Sequence, residues 1–215
     1  MAQIFPKKAN ALPTLSLLGA VGGGVLSILF VWYYFSPEYT DVGYAPEQPV
    51  PYSHVLHAGE LAIDCQYCHS NVEVSEHANI PPTQTCMNCH SVVQTESERL
   101  EPVRQSWATG EPVEWVNVHQ LPDYARFSHA VHVKNGVGCE TCHGRVDQME
   151  IVKLAEPLSM GWCLECHRQP ELYLRPNEQI TTMGYTQTAD FVKENLQRIK
   201  NESIQPPTNC SACHY

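Results

Sequence analysis

The chain has 215 residues, a formal net charge of −10 and only 17% charged residues, yet it carries ten cysteines, eleven histidines and sixteen prolines. The length suits one or two domains. The acidic balance argues against a nucleic-acid partner and suits a basic docking face on another protein. Ten cysteines could make five disulfides in an exported protein or several metal or cofactor sites, and only their spacing separates these readings.

The first expected element is a membrane anchor. No charged residue occurs from Ala9 to Pro37, and TLSLLGAVGGGVLSILFVWYYF, Thr14 to Phe35, is apolar over 22 residues. As a helix it would span about 33 Å, the thickness of a bilayer core. Pro13 suits its first turn. Lys7 and Lys8 precede it, which predicts a cytoplasmic N-terminus, and Trp32, Tyr33 and Tyr34 suit an aromatic belt at the far end. VWYYFSPEY offers no small-residue cleavage site, so an uncleaved anchor is expected rather than a signal peptide. Gly19 and Gly23 form a G-x-x-x-G that could bring helices close, or reflect only the frequency of glycine in membrane helices.

Residues 36–51 hold four prolines and read as an extended linker. Residues 52–215 then contain every cysteine and histidine. Apolar periodicity there is poor, with no convincing strand. The two helix candidates are Val93 to Thr109 and Thr188 to Lys200, the second with Thr188 as a cap and Phe191, Val192, Leu196 and Ile199 on one face. The fold expected is mostly irregular and α. Such a domain needs a core from another source.

An internal repeat divides this region. YSHVLH (Tyr52 to His57) precedes CQYCH (Cys65 to His69), and FSHAVH (Phe127 to His132) precedes CETCH (Cys139 to His143). Each unit continues to a further motif, CMNCH (Cys86 to His90) and CLECH (Cys163 to His167), giving units of about 52–90 and 127–167; CSACH (Cys210 to His214) ends the chain.

All ten cysteines, Cys65, Cys68, Cys86, Cys89, Cys139, Cys142, Cys163, Cys166, Cys210 and Cys213, fall in these five Cys-x-x-Cys-His motifs. The spacing is that of c-type haem attachment: two thiols add to the porphyrin edge, and His69, His90, His143, His167 and His214 each take one axial position on iron. Zinc ribbons would pair the motifs and would not need a histidine after every second cysteine, and disulfides would not need it either. Five covalent haems would also supply the missing apolar interior.

Five sixth ligands are then required. The repeat offers His54, His57, His129 and His132, spaced three apart so that the members of each pair suit two neighbouring irons. The fifth position stays open between His119 and Met183, since methionine can be a sixth ligand. Met160 is better placed for packing, and His77 lies in a polar loop. With every iron doubly ligated, the haems would carry electrons rather than perform bond chemistry. Arg126, Lys134, Arg145 and Arg168 are candidate propionate partners.

The two units resemble the multihaem cytochromes c of the class III and c7 type. That resemblance implies that His54 serves the haem on His69 and His129 the haem on His143, while the irons served by His57 and His132 are left open. Over nearly the whole chain the sequence is also similar to the pentahaem cytochrome c subunit, ActA type, of bacterial alternative complex III. The likeness rests on the anchor and on ANIPPTQTCMNCH, SWATGEPVEWVNVHQLPD, FSHAVHVKNGVGCETCHGRVDQME and PLSMGWCLECHRQPE.

This likeness implies an electron-transfer subunit, not an enzyme by itself, in the bacterial inner membrane with its haem domain on the periplasmic side. Its implied partners are an iron–sulfur, molybdopterin-oxidoreductase-like subunit, polytopic quinol-interacting membrane subunits, a monohaem cytochrome c and membrane lipid. The competing reading is a self-sufficient anchored quinol dehydrogenase. Those proteins commonly place a methionine two residues past a motif histidine, where this chain has Ser70 and Asn71 after His69.

Overall fold

The computed structural model describes residues 6–214. The first five residues of the expected cytoplasmic segment, the Lys7 side chain and Tyr215 lie outside the described residues. The chain divides into two compact units, one ending at Asp41 and one beginning at Val42.

The first unit holds the apolar segment. Helix α1 (Leu12–Tyr34) has proline in its first turn and buries none of its residues. At about 1.5 Å per residue its 23 residues reach about 34 Å. Among the described residues it is the one helix long and apolar enough to cross a membrane. Its apolar surface is continuous around the axis, as a lipid-facing helix requires. A short helix α2 (Pro37–Thr40) follows, and Tyr39 packs its ring 4.6 Å from that of Tyr34.

The second unit contains no strand among the described residues; there are two isolated bridges, Ala125 with His214 and Val137 with Leu174. Its helices are short: α3 (Cys65–Cys68), α4 (Thr83–His90), α5 (Glu101–Thr109), α6 (His129–Lys134), α7 (Cys139–His143), α8 (Met160–Arg168), α9 (Phe191–Glu202) and α10 (Cys210–Cys213). Both helix candidates from the sequence are present but shorter. The first starts at Glu101, with proline in its opening turn, and ends at Gly110 in the left-handed conformation that glycine favours. The second starts at Phe191, and Thr188 contributes only its carbonyl, to the Phe191 amide.

The segment expected as a linker is held from Gly43 onward. Gly43 N donates to Leu154 O at 2.7 Å, Leu154 N donates to Tyr44 O at 2.9 Å, and Val50 is buried. The Gln48 amide donates to Val116 O at 2.9 Å and accepts from Val116 N at 3.0 Å. The segment is therefore helical at Pro37–Thr40 and tied to the rest of the second unit from Gly43 by these hydrogen bonds.

The polypeptide's own core is thin. Eight apolar side chains are buried among the described residues, and no side chain is less than 2% exposed. Part of that core lies at α9, where Phe191 is buried and Asn195 Nδ2 donates to Glu171 O and Leu174 O at 2.9 and 2.7 Å. The rest of the interior is lined by the cysteine and histidine motifs.

Candidate functional site: five Cys-x-x-Cys-His motifs and their histidine partners

Every motif is built on a helical turn, which places its two thiols three residues apart on one face. Two of the turns carry a side-chain cap. Asp64 accepts from Gln66 N at 2.8 Å ahead of α3, and the Ser159 hydroxyl accepts from Trp162 N at 3.3 Å in α8. All ten cysteines are free thiols, so none is committed to a disulfide. Among the described residues no three Cys, His, Asp or Glu side chains converge as a zinc site requires.

The histidines are aimed in a common way. Nδ1 of His69 donates to Asn79 O at 2.8 Å, that of His90 to Val93 O at 3.1 Å, that of His167 to Pro207 O at 2.7 Å, and that of His214 faces Tyr124 O at 3.4 Å. Asn79 holds its carbonyl there from a left-handed backbone (φ 59°) that asparagine tolerates. The repeat histidines do the same: His57 Nδ1 to Ser53 O and His132 Nδ1 to Ser128 O, each at 2.8 Å, and His129 Nδ1 to Glu76 O at 2.8 Å. Each ring's Nε2 is thereby left as an unprotonated lone pair, the form that ligates metal.

The rings then face one another at a telling distance. A metal–imidazole bond is about 2 Å and the ring centre lies about 1 Å beyond the nitrogen, so two imidazoles sharing one iron have centroids about 6 Å apart. His57 and His90 stand 6.1 Å apart, His129 and His143 6.3 Å with planes 9° from parallel, and His132 and His167 6.0 Å. His54 lies near His69, whose charge adds to burial in pushing His54 down to about 4, and its Nδ1 is a buried polar atom without a hydrogen-bond partner. Burial likewise holds His143 down to about 3, with His119 and His129 adding to the effect, and lowers His132. These imidazoles are neutral, as ligands must be.

The thin core, the free thiol pairs and the facing imidazoles fit covalent haem. The comparisons agree. Residues 125–215 match the family "Cytochrome c7 and related cytochrome c". The multihaem cytochrome c subunit of a menaquinone reductase from Nitratidesulfovibrio vulgaris (strain Hildenborough) is 35% identical over 124 residues, covering 56% of each chain. The chain carries a c7-like multihaem cytochrome domain. It spans little more than half the length of that curated relative.

The two repeat units are alike in detail. Tyr52 meets His54 edge-on at 4.8 Å and stacks on His57 at 4.4 Å; Phe127 meets His129 edge-on at 4.8 Å and stacks on His132 at 4.6 Å. The aromatic that opens each repeat thus braces the second histidine, and the serine after it supplies the carbonyl that orients that ring. The second histidine of each unit faces the second motif of the same unit.

The motifs are joined in an order that differs from the sequence. Asn88 of the second motif donates to the Tyr67 hydroxyl of the first at 3.2 Å. The Cys65 thiol of the first lies close enough to Cys139 of the third for each to shift the other's titration. The loop 75–80 serves both motifs, accepting from His129 through Glu76 O and from His69 through Asn79 O. In the third motif Cys142 is pushed up to about 12 by burial and by Cys166 and Cys163 of the fourth. Cys163 is in turn raised by burial and by Cys213 of the fifth. The spatial order is second, first, third, fourth, fifth.

The two candidates for the fifth partner are not beside His214. His119 stands against His143, with its Nε2 3.2 Å from His143 Nδ1. Met183 lies in a loop tied to the first and third motifs, where Thr181 Oγ1 donates to Asp64 at 2.8 Å and Gly184 N to Glu140 at 2.8 Å. His77 is exposed. Among the candidate propionate partners, Arg145 is engaged by Asp147 at 2.6 Å and lies 3.8 Å from Glu140.

Proposed function

We propose that this multihaem cytochrome c is the electron-relay subunit of a membrane-bound complex that exchanges electrons with the quinone pool. Five haems would be held by the ten cysteines and five motif histidines, with sixth ligands His54 for His69, His57 for His90, His129 for His143 and His132 for His167. The observation that carries this reading is the three facing imidazole pairs at 6.0–6.3 Å, each joining a motif histidine to a repeat histidine. Haem when bound supplies one-electron redox chemistry. The four irons so paired would leave no position for a substrate, so these residues serve relay rather than bond chemistry. With the sites ordered second, first, third, fourth, fifth, the second and fifth motifs are the ends where partners would give and take electrons.

The anchor supports placement in the bacterial inner membrane with the haem domain on the periplasmic side. The likeness to the pentahaem subunit of alternative complex III supports partners of three kinds: an iron–sulfur, molybdopterin-oxidoreductase-like subunit, polytopic quinol-binding membrane subunits and a monohaem cytochrome c acceptor. In that setting electrons come from quinol. The curated relative is named a menaquinone reductase subunit, which favours a second reading with the same relay and partners but electrons flowing toward quinone.

The test is to purify the tagged chain from its native membranes and mix the complex with menaquinol. Haem reduction by menaquinol in the complex, with none by the chain alone, is expected. Reduction by the chain alone would establish the self-sufficient dehydrogenase instead. Reversed flow, with haem electrons consumed by menaquinone, would select the reductase.

A further inference from the structure

His143 differs from the other four motif histidines in what stands behind it. His69, His90, His167 and His214 each turn Nδ1 toward a backbone carbonyl. His143 turns Nδ1 toward Nε2 of His119, 3.2 Å away, with the two rings 4.3 Å apart and 74° from parallel. A ring separation of 4.3 Å is too short for a metal between them. The space for iron is on the other side of His143, where His129 faces it in parallel at 6.3 Å.

The tautomers follow from this placement. If His143 gives its Nε2 lone pair to iron, its proton sits on Nδ1 and is donated backward. His119 must then accept through Nε2 and carry its own proton on Nδ1. The lone pair with which His119 would ligate an iron through Nε2 is therefore already used. The ring is also held in register: Gln48 pairs with both the N–H and the C=O of Val116, three residues before His119.

We infer that His119 is a positioning residue for the third haem site, which raises the basicity of His143 and so lowers the midpoint potential of that haem. The physical reason is acceptor strength. An imidazole nitrogen draws on the N–H of His143 more strongly than a peptide carbonyl does, which gives the ligating nitrogen more imidazolate character and favours ferric iron. A carbonyl behind the ligand cannot be removed by substitution, whereas an imidazole can, so this site alone among the five is tunable through a side chain. The inference rests on the reading that the motifs hold haem.

The test uses the purified full chain with His119→Gln, His119→Ala and Gln48→Ala, each compared with wild type for haem content, electron paramagnetic resonance and stepwise redox titration. The account predicts five haems in every variant, with the low-spin share unchanged from wild type. One of the five midpoint potentials shifts upward, more in His119→Ala than in His119→Gln, with a smaller upward shift in Gln48→Ala. The other four stay in place. A haem that turns high-spin and binds carbon monoxide in the His119 variants would overturn the inference by making His119 an axial ligand. Unmoved potentials would overturn it by making the contact inert. Should His119→Ala lose haem, His119→Gln and Gln48→Ala still decide. A wild-type chain without haem would instead refute the underlying cofactor reading.

Discussion

Replacing His132 with alanine should open one iron that is closed in the wild-type chain and leave the others as they are. The His132 ring faces His167 at 6.0 Å, is oriented by the 2.8 Å bond from its Nδ1 to Ser128 O, and is stacked under Phe127 at 4.6 Å. No neighbour can replace it. His129, on the same helical turn, faces His143 at 6.3 Å and is held by Glu76 O. With five motifs in the chain, about one fifth of the haem should become high-spin and bind carbon monoxide. The lost hydrogen bond and ring stacking together should cost about 1–3 kcal/mol of stability. The assay is a carbon monoxide difference spectrum of the reduced protein, calibrated against total haem. Relative to wild type, no added binding, or an increase of two fifths of the haem or more, would refute the pairing of His132 with His167 alone.

Further outcomes follow from the same contacts. His57→Ala should act in the same way at the site of His90, because its ring faces His90 at 6.1 Å, and the double variant with His132→Ala should bind carbon monoxide at about two fifths of the haem. Gly136→Ala should destabilise the domain by about 1–3 kcal/mol in a thermal melt, since Gly136 has φ 84° and a Cβ there would strike the Arg175 carbonyl. Acid should weaken the polypeptide: His54 and His143 are lowered from 6.5 to about 4 and about 3, so the unfolded chain binds protons first and stability falls as the pH drops below 6.5, levelling off near those lower values. A chemical denaturation series from pH 7 to pH 4 reads this loss, and stability that rises on acidification would contradict the burial of these neutral rings.

The cofactor sites were legible because their chemistry is local. Cys-x-x-Cys-His fits within five residues and one helical turn, so the motifs could be read without knowing the fold. The repeat carried more than its histidines. Its aromatic and serine brace and orient the second ring, whereas the sequence left open which motif histidine His57 and His132 each face. The placement of His119 against His143 was not legible, because it depends on the loop 112–128 being fixed by Gln48, 68 residues before Val116 in the chain. The carbonyls of Asn79, Val93 and Pro207 that aim the motif histidines left no trace in the sequence, since every residue has a carbonyl. The spatial order of the sites was equally hidden, because the contact between Cys65 and Cys139 spans the two units.

The central claim is that this chain relays electrons through five haems held by its own cysteines and histidines. Coulometric reduction of the purified protein, with the electrons counted per chain and the haem spectrum followed throughout, tests it most directly. The account predicts five electrons per chain, each taken up with conversion of haem from ferric to ferrous. Fewer than five, or uptake without a change in the haem spectrum, would contradict it.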